Sequence, residues 1–226
     1  KQVLSSIDSN NTTYISHLNN SLYTIYGSGF TLVRQSNLQT FANGLSGLST
    51  YQRSVQINLL REELSSAALS LPFCQSAHVF FENQNPLTGQ DELACCLMPF
   101  SNASYGLIFV LSVNDLDSYM KNNISYENEH YLFTIGTQFS LSNMDSSMED
   151  ELRDMSKQFS GSKGSFPCEV ITLDGAEYYA FVYEMPDISF QYIRLIPTTD
   201  IISAASMTPL LHLLFLLLIS IACIVF

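Results

Sequence analysis

The sequence predicts an α+β protein: a long N-terminal helix packed on antiparallel sheets and followed by a C-terminal transmembrane helix. Three observations lead there. Apolar residues recur at helical steps through roughly the first forty positions. The period then shortens to two in short runs between 76 and 197. The chain ends in a run without a charge, Met207–Phe226.

Val3, Ile7, Tyr14, Leu18, Leu22, Ile25 and Leu32 stand mostly three or four residues apart, or at multiples of that. One polar gap interrupts them at NNTT (10–13). No proline precedes Pro72, so one helix is expected over about 2–42, ending at Asn43-Gly44, with Gly27 and Gly29 as its weak points. At roughly 60 Å it is longer than a compact domain needs, which points to a stalk or to packing against a second copy, a homodimer through this helix. A second helix is expected over about 50–70, with Tyr51, Val55, Leu59, Leu60 and Leu64 as its apolar positions.

Strands follow. SAHVFFE (76–82), LACCLM (93–98) and YGLIFVLSV (105–113) are short, apolar and rich in β-branched and aromatic residues, and NQNPLTGQDE reads as a hairpin-type connection between the first two. NDLDSYMKN reads as a short helix capped by Asn114. HYLFTIGTQFSL (130–141) reads as one strand, and MEDELRDMSKQF (148–159) as a helix that stops at Gly161–Gly164. CEVITL (168–173), EYYAFVYEM (177–185) and SFQYIRLIP (189–197), joined by DGA and PDI, make a meander. On the last strand Phe190, Tyr192 and Arg194 share one face, and Gln191, Ile193 and Leu195 the other. Helices and strands alternate in blocks, as in α+β folds.

Within Met207–Phe226 only Thr208, His212 and Ser220 are polar. As a helix the run spans roughly 30 Å, the thickness of a hydrocarbon core. A buried core helix would keep a polar face, and this run has none. No Lys or Arg lies after Arg194, and basic residues favour cytoplasmic flanks, so residues 1–206 are expected to be extracytoplasmic. The chain opens on Lys1 and stops at Phe226 without a basic flank, so a longer protein is expected, with an output domain beyond. A lipid anchor is the alternative. Ser203, Ala204, Ala205 and Ser206 precede the tail, as in a glycolipid-anchor signal, but the polar spacer of about eight to twelve residues is nearly absent.

A net charge of −12 argues against nucleic acid as a partner. Hydrophobic content of 46 %, with twelve Tyr and fifteen Phe, is ample for a folded core. Cys74, Cys95, Cys96 and Cys168 precede the apolar run. Cys95 and Cys96 are neighbours on a strand and face opposite ways, so they do not pair with each other. Bridges elsewhere and buried thiols both fit, and no CxxC spacing points to metal or redox chemistry. Neither HExxH nor a close histidine pair occurs among His17, His78, His130 and His212, and there is no GxSxG. GSG (27–29) and GSKG (161–164) lack the spacing of a phosphate loop, and MEDELRD lacks the glycine turn of a calcium loop and reads as a solvated helix face. No metal, cofactor or catalytic residue is expected.

The segment order resembles a double Cache sensor domain. YGLIFVLSVNDLDSYM resembles the closing strand and linking helix of that family's first half, HYLFTIG the opening strand of the second, and GAEYYAFVYEMPDISFQYIRLIPTTDII its closing hairpin. The resemblance covers about residues 1–206. It implies PAS-like sheets and the ligand-sensing ectodomain of a bacterial transmembrane receptor, whose output part is a histidine kinase, a chemotaxis transducer, a cyclic-dinucleotide enzyme or an AraC-type regulator. It also implies four parts: a signalling helix over 1–43, a membrane-distal subdomain over 44–125, a proximal one over 126–206 and a membrane helix over 207–226. A small molecule would then bind in the distal half. With no Trp, the chain lacks the Arg–Trp–Asp signature of the family's amino-acid-binding subgroup. Phe80, Glu82 and Tyr105 lie on the strands that would line the pocket and are the candidate ligand-binding residues. The plainer alternative makes both aromatics core and Glu82 a solvated strand end.

Overall fold

The structure is a computed structural model that describes residues 2–35, 38, 41, 44, 47–81, 93–98, 105–136, 139–159, 168–185, 190–203 and 205. Two compact units form. One holds Ser16–Tyr119; the other joins the first fifteen residues to those from Met120 onward.

Helix α1 (Gln2–Val33) contributes its first turns to one unit and the rest to the other. It stops at Val33, not near 42. There the Arg34 and Gln35 N–H groups donate to the Thr31 and Leu32 carbonyls at 3.3 and 3.0 Å, i→i−3 bonds that tighten the last turn and close the helix. In the polar gap Asn10, Thr12 and Thr13 are exposed, but Asn11 is fully buried and fills the core position between Ile7 and Ile15.

In the Ser16–Tyr119 unit, α2 (Thr50–Ser70) begins in a capping box in which Ser49 and Gln52 each satisfy the other's backbone N–H. Its buried positions are Leu60, Leu64 and Ala68 in the C-terminal half, whereas Tyr51, Val55 and Leu59 are exposed. The apolar face read from sequence is thus only partly a core face. The strands β1 (Cys74–Phe81), β2 (Leu93–Leu97) and β3 (Tyr105–Leu111) form a sheet in the order β1-β3-β2. The first two are therefore not a hairpin. β3 takes the centre because it is the continuous apolar run, and all seven of its residues are buried. The expected connection, residues 83–92, lies outside the described residues, as does Glu82. Gly29 lets α1 sit on this sheet: a Cβ there would meet Leu97 Cδ1 at 2.3 Å and Phe109 Cε2 at 2.5 Å.

Helix α3 (Val113–Lys121) follows. Its cap is Ser112, whose Oγ accepts from the Asp115 N–H at 3.2 Å, and not Asn114, which is exposed. In the other unit the expected single strand over 130–141 is a hairpin of β4 (His130–Ile135) and β5 (Phe139–Ser142), broken at Gly136 with φ +59. Helix α4 (Ser146–Phe159) is capped by Asp145, which accepts from the Met148 N–H at 2.9 Å. The meander is present as β6 (Cys168–Leu173), β7 (Ala176–Met185) and β8 (Phe190–Pro197). Asp174 and Gly175 both take positive φ, as a two-residue primed turn requires. The antiparallel order is β5-β4-β8-β7-β6.

Both faces of this sheet are covered, and β8 shows how. Ile193 and Leu195 pack with Met148 and Leu152 of α4. On the opposite face Ile196 joins Ile7, Phe181 and Ile201, and Tyr192 lies 6.3 Å from the Tyr14 ring. The alternation expected along 190–195 is observed. Arg194, 3 % exposed, carries the polar join: Nε and Nη2 donate to the Glu129 carboxylate, the latter at 2.9 Å, and Nη1 donates to Asn11 Oδ1. Glu129 Oε2 also accepts from the Ser125 and Tyr126 N–H groups at 2.9 and 3.2 Å. Tyr183 donates to Asp8 at 2.9 Å; its phenol is pushed far up by burial and by that carboxylate. After Pro197, residues 198–203 are helical. The final apolar run lies outside the described residues, and none of the helices among them is long and apolar enough to cross a membrane.

Candidate functional site

In the Ser16–Tyr119 unit β1 is, among the described residues, an edge strand that pairs with β3 alone. On its other side α2 leaves a groove of about 730 Å³. Leu60, Leu64 and Ala68, four residues apart, point one way on α2 and give the groove its apolar wall, with Ile57 at its mouth. Arg61 and Ser65, also four apart, supply polar groups from the same helix. β1 supplies Ser76 and His78, alternate residues on one face, whose Oγ and Nε2 are 2.8 Å apart. The volume lies in the range of small-molecule pockets, which are mostly apolar with a few placed polar groups. The chemistry on offer is one cation, two hydroxyls, the Gln75 amide and an imidazole, which suits recognition of a polar group on an apolar body.

Phe80 and Tyr105 sit on adjacent strands but on opposite faces. Phe80 is registered with Gly106, over which its ring lies, and Tyr105 with Phe81. Tyr105 is 4 % exposed, its hydroxyl has no hydrogen-bond partner, and burial pushes its phenol up. Glu82 lies outside the described residues. What sequence reasoning missed was the Ile57–Leu60–Arg61–Leu64 face of α2 as a site wall. Its spacing was visible, but the edge position of β1 was not.

The four described thiols are free. Cys95 is pushed up to about 11 by burial and then by its neighbours Cys96 and Cys74, and Cys168 to about 11 by burial and then Asp8 and Glu169. They are protonated at neutral pH, as inert structural cysteines are. No group of three or more acidic, histidine or cysteine side chains able to hold a metal occurs among the described residues. Glu149 of MEDELRD does not simply face solvent. It accepts from Ser140 at 2.9 Å, Ser142 at 2.5 Å and Arg153 at 2.7 Å, tying α4 to β5.

Compared with known proteins, the fold is similar to that of an extracellular domain assigned to a histidine kinase. The chain is similar to the extracellular domain of soHK1S-Z6, a protein assigned to the histidine kinases, with a TM-score of 0.53 and 9 % identity over 90 % of this chain and 98 % of that one. It also matches the sensor domain of the V. cholerae histidine kinase DctB, with a TM-score of 0.40 and 9 % identity over 86 % of this chain and 98 % of that one. A third match is the ligand-binding domain of Mlp24 with asparagine, with a TM-score of 0.44 and 11 % identity over 91 % of this chain and 100 % of that one. No family model and no curated protein matches.

Proposed function

We propose that this chain is the extracytoplasmic, ligand-sensing part of a membrane-bound receptor. In this reading a small molecule bound beside α2 and β1 is signalled through Met207–Phe226 to a cytoplasmic output domain. The observation that carries the reading is the fold shared over 90 % of the chain with an extracellular domain assigned to a histidine kinase. The uncharged terminal run and the lack of any Lys or Arg after Arg194 support the orientation. Phe80 follows the groove-lining Val79 on β1, and Phe80, Glu82 and Tyr105 are proposed as residues of the ligand site.

The route to the membrane is short. β8 ends at Pro197, the chain is helical from 198, and Ile201 is buried with Ile7, Phe181 and Ile196. With no glycine between Pro197 and Ser206, a shift of the sheet has no slack to absorb it. A ligand that binds one of two states better then biases the membrane helix. In a receptor joining this chain to a histidine-kinase output, inserting Gly-Ser-Gly after Ser203 is expected to uncouple output from ligand while leaving binding unchanged. Signalling that survives the insertion rules out rigid transmission. In a thermal-shift screen Glu82→Gln is expected to bind the stabilising ligand more weakly; equal stabilisation removes Glu82 from the site.

A further inference from the structure

The unit built on the five-stranded sheet holds a pocket of its own, of about 380 Å³. Val3 and Ile7 of α1, Asn123, Ser125 and Tyr126 of the α3–β4 loop, and Arg194 of β8 line it. Ser6 and Asn10 also line it and are exposed; its buried polar groups are unbalanced. The Asn123 Nδ2 is buried and has no hydrogen-bond partner. The Asn123 backbone is fixed, because its N–H donates to the Met120 carbonyl at 3.1 Å. Arg194 spends one donor on Asn11 and two on Glu129, which leaves part of its five-donor fork unused. The acceptor beside it is occupied, since Glu129 takes the guanidinium and the Ser125 and Tyr126 N–H groups. Spare donors therefore face a cavity whose neighbouring acceptor is saturated. A buried donor without an acceptor costs free energy, and native structures keep one where something else supplies the partner.

We propose that this pocket is a second small-molecule site and that it takes a short monocarboxylate. The carboxylate oxygens accept from Asn123 Nδ2 and from the unused guanidinium N–H groups, the planar fork that favours carboxylates. Val3, Ile7 and the Tyr126 ring receive a short apolar body. One negative charge is the limit, because Glu129 already neutralises Arg194. The site is separate from the groove beside α2 and stands whether or not that groove binds a ligand.

The test is calorimetric titration of the 226-residue chain in mild detergent with acetate, propionate and butyrate, against butyramide, at ionic strength held constant with chloride. The expected result is saturable butyrate binding, at least tenfold weaker for butyramide. Asn123→Ala should weaken butyrate at least tenfold while the ligand-free melting temperature stays level or rises, since an unpartnered donor is removed. Asn123→Asp, equal in size, should abolish binding. Arg61→Gln, in the groove of the other unit, should leave it within twofold. The proposal is overturned by no saturable binding of any of the three carboxylates, by butyramide binding as tightly, by undiminished binding in both Asn123 variants, or by loss of binding in Arg61→Gln.

Discussion

Removing one side of the buried Arg194–Glu129 pair should cost more when the acid is removed than when the base is. Both residues are at most 3 % exposed, so either deletion strands a charge. Breaking a buried pair typically costs about 3–5 kcal/mol. Arg194→Met leaves the Glu129 carboxylate with the Ser125 and Tyr126 N–H donors at 2.9 and 3.2 Å, a partial compensation that places it near about 3 kcal/mol. Glu129→Leu leaves the guanidinium with Asn11 alone and also orphans those two N–H groups, each worth about 1 kcal/mol or more, so about 5 kcal/mol is expected. The double variant removes both charges and should fall well short of the sum. With a urea slope of about 2 kcal/mol/M, the singles shift the midpoint by about 1.5 and 2.5 M. Circular dichroism and tyrosine fluorescence are the probes, the chain having no Trp. The reversed order, or shifts below about 0.5 M for both, would refute the reasoning.

Two further outcomes follow from the packing. A Cβ on Gly106 would meet Phe80 Cε1 at 2.4 Å and the Leu97 carbonyl oxygen at 2.6 Å, so Gly106→Ala should cost about 1–3 kcal/mol, read as a lower melting temperature. Gly27→Ala, exposed on α1 with nothing within 4 Å, should instead gain about 0.5–1 kcal/mol. Acid should destabilise in two stages. Burial holds His130 below its ordinary 6.5, so the unfolded chain binds the proton first and stability falls as pH drops below that value. Burial pushes Glu149 up, but hydrogen bonds from Ser142, Arg153 and Ser140 outweigh it and leave it below its ordinary 4.5, so its contribution is lost as pH falls through that lowered value. Melting temperatures between pH 7.5 and 3.5 check this, with His130→Phe flattening the upper stage; stability that rises on acidification from pH 7 to 5.5 contradicts it.

Much of the fold was legible because its signals are local. The DGA turn is there, with positive φ at Asp174 and Gly175, and residues 190–195 alternate between the two faces of β8 as read. What escaped was long-range. Nothing near LACCL says that it pairs with β3 and not with β1, and the edge that makes the groove follows from that pairing. Asn11 read as a polar break because its partner, Arg194, lies 183 residues away. Tyr51, Val55 and Leu59 have the spacing of a core face, yet the buried positions of α2 begin at Leu60. The site was the least legible part. A groove is the space between elements, and residue type alone does not say where two elements fail to close.

The central claim, that the groove between α2 and β1 receives a small molecule, is tested most directly by equilibrium binding to a variant that fills it. Ser65 is exposed and lines the groove, so Ser65→Phe adds bulk there without touching the core. A small molecule found by thermal-shift screening of the parent chain should bind saturably by calorimetry, lose at least tenfold in affinity in Ser65→Phe, and keep its affinity in Asn123→Ala. Affinity unchanged by Ser65→Phe would place the sensing site elsewhere and contradict the account.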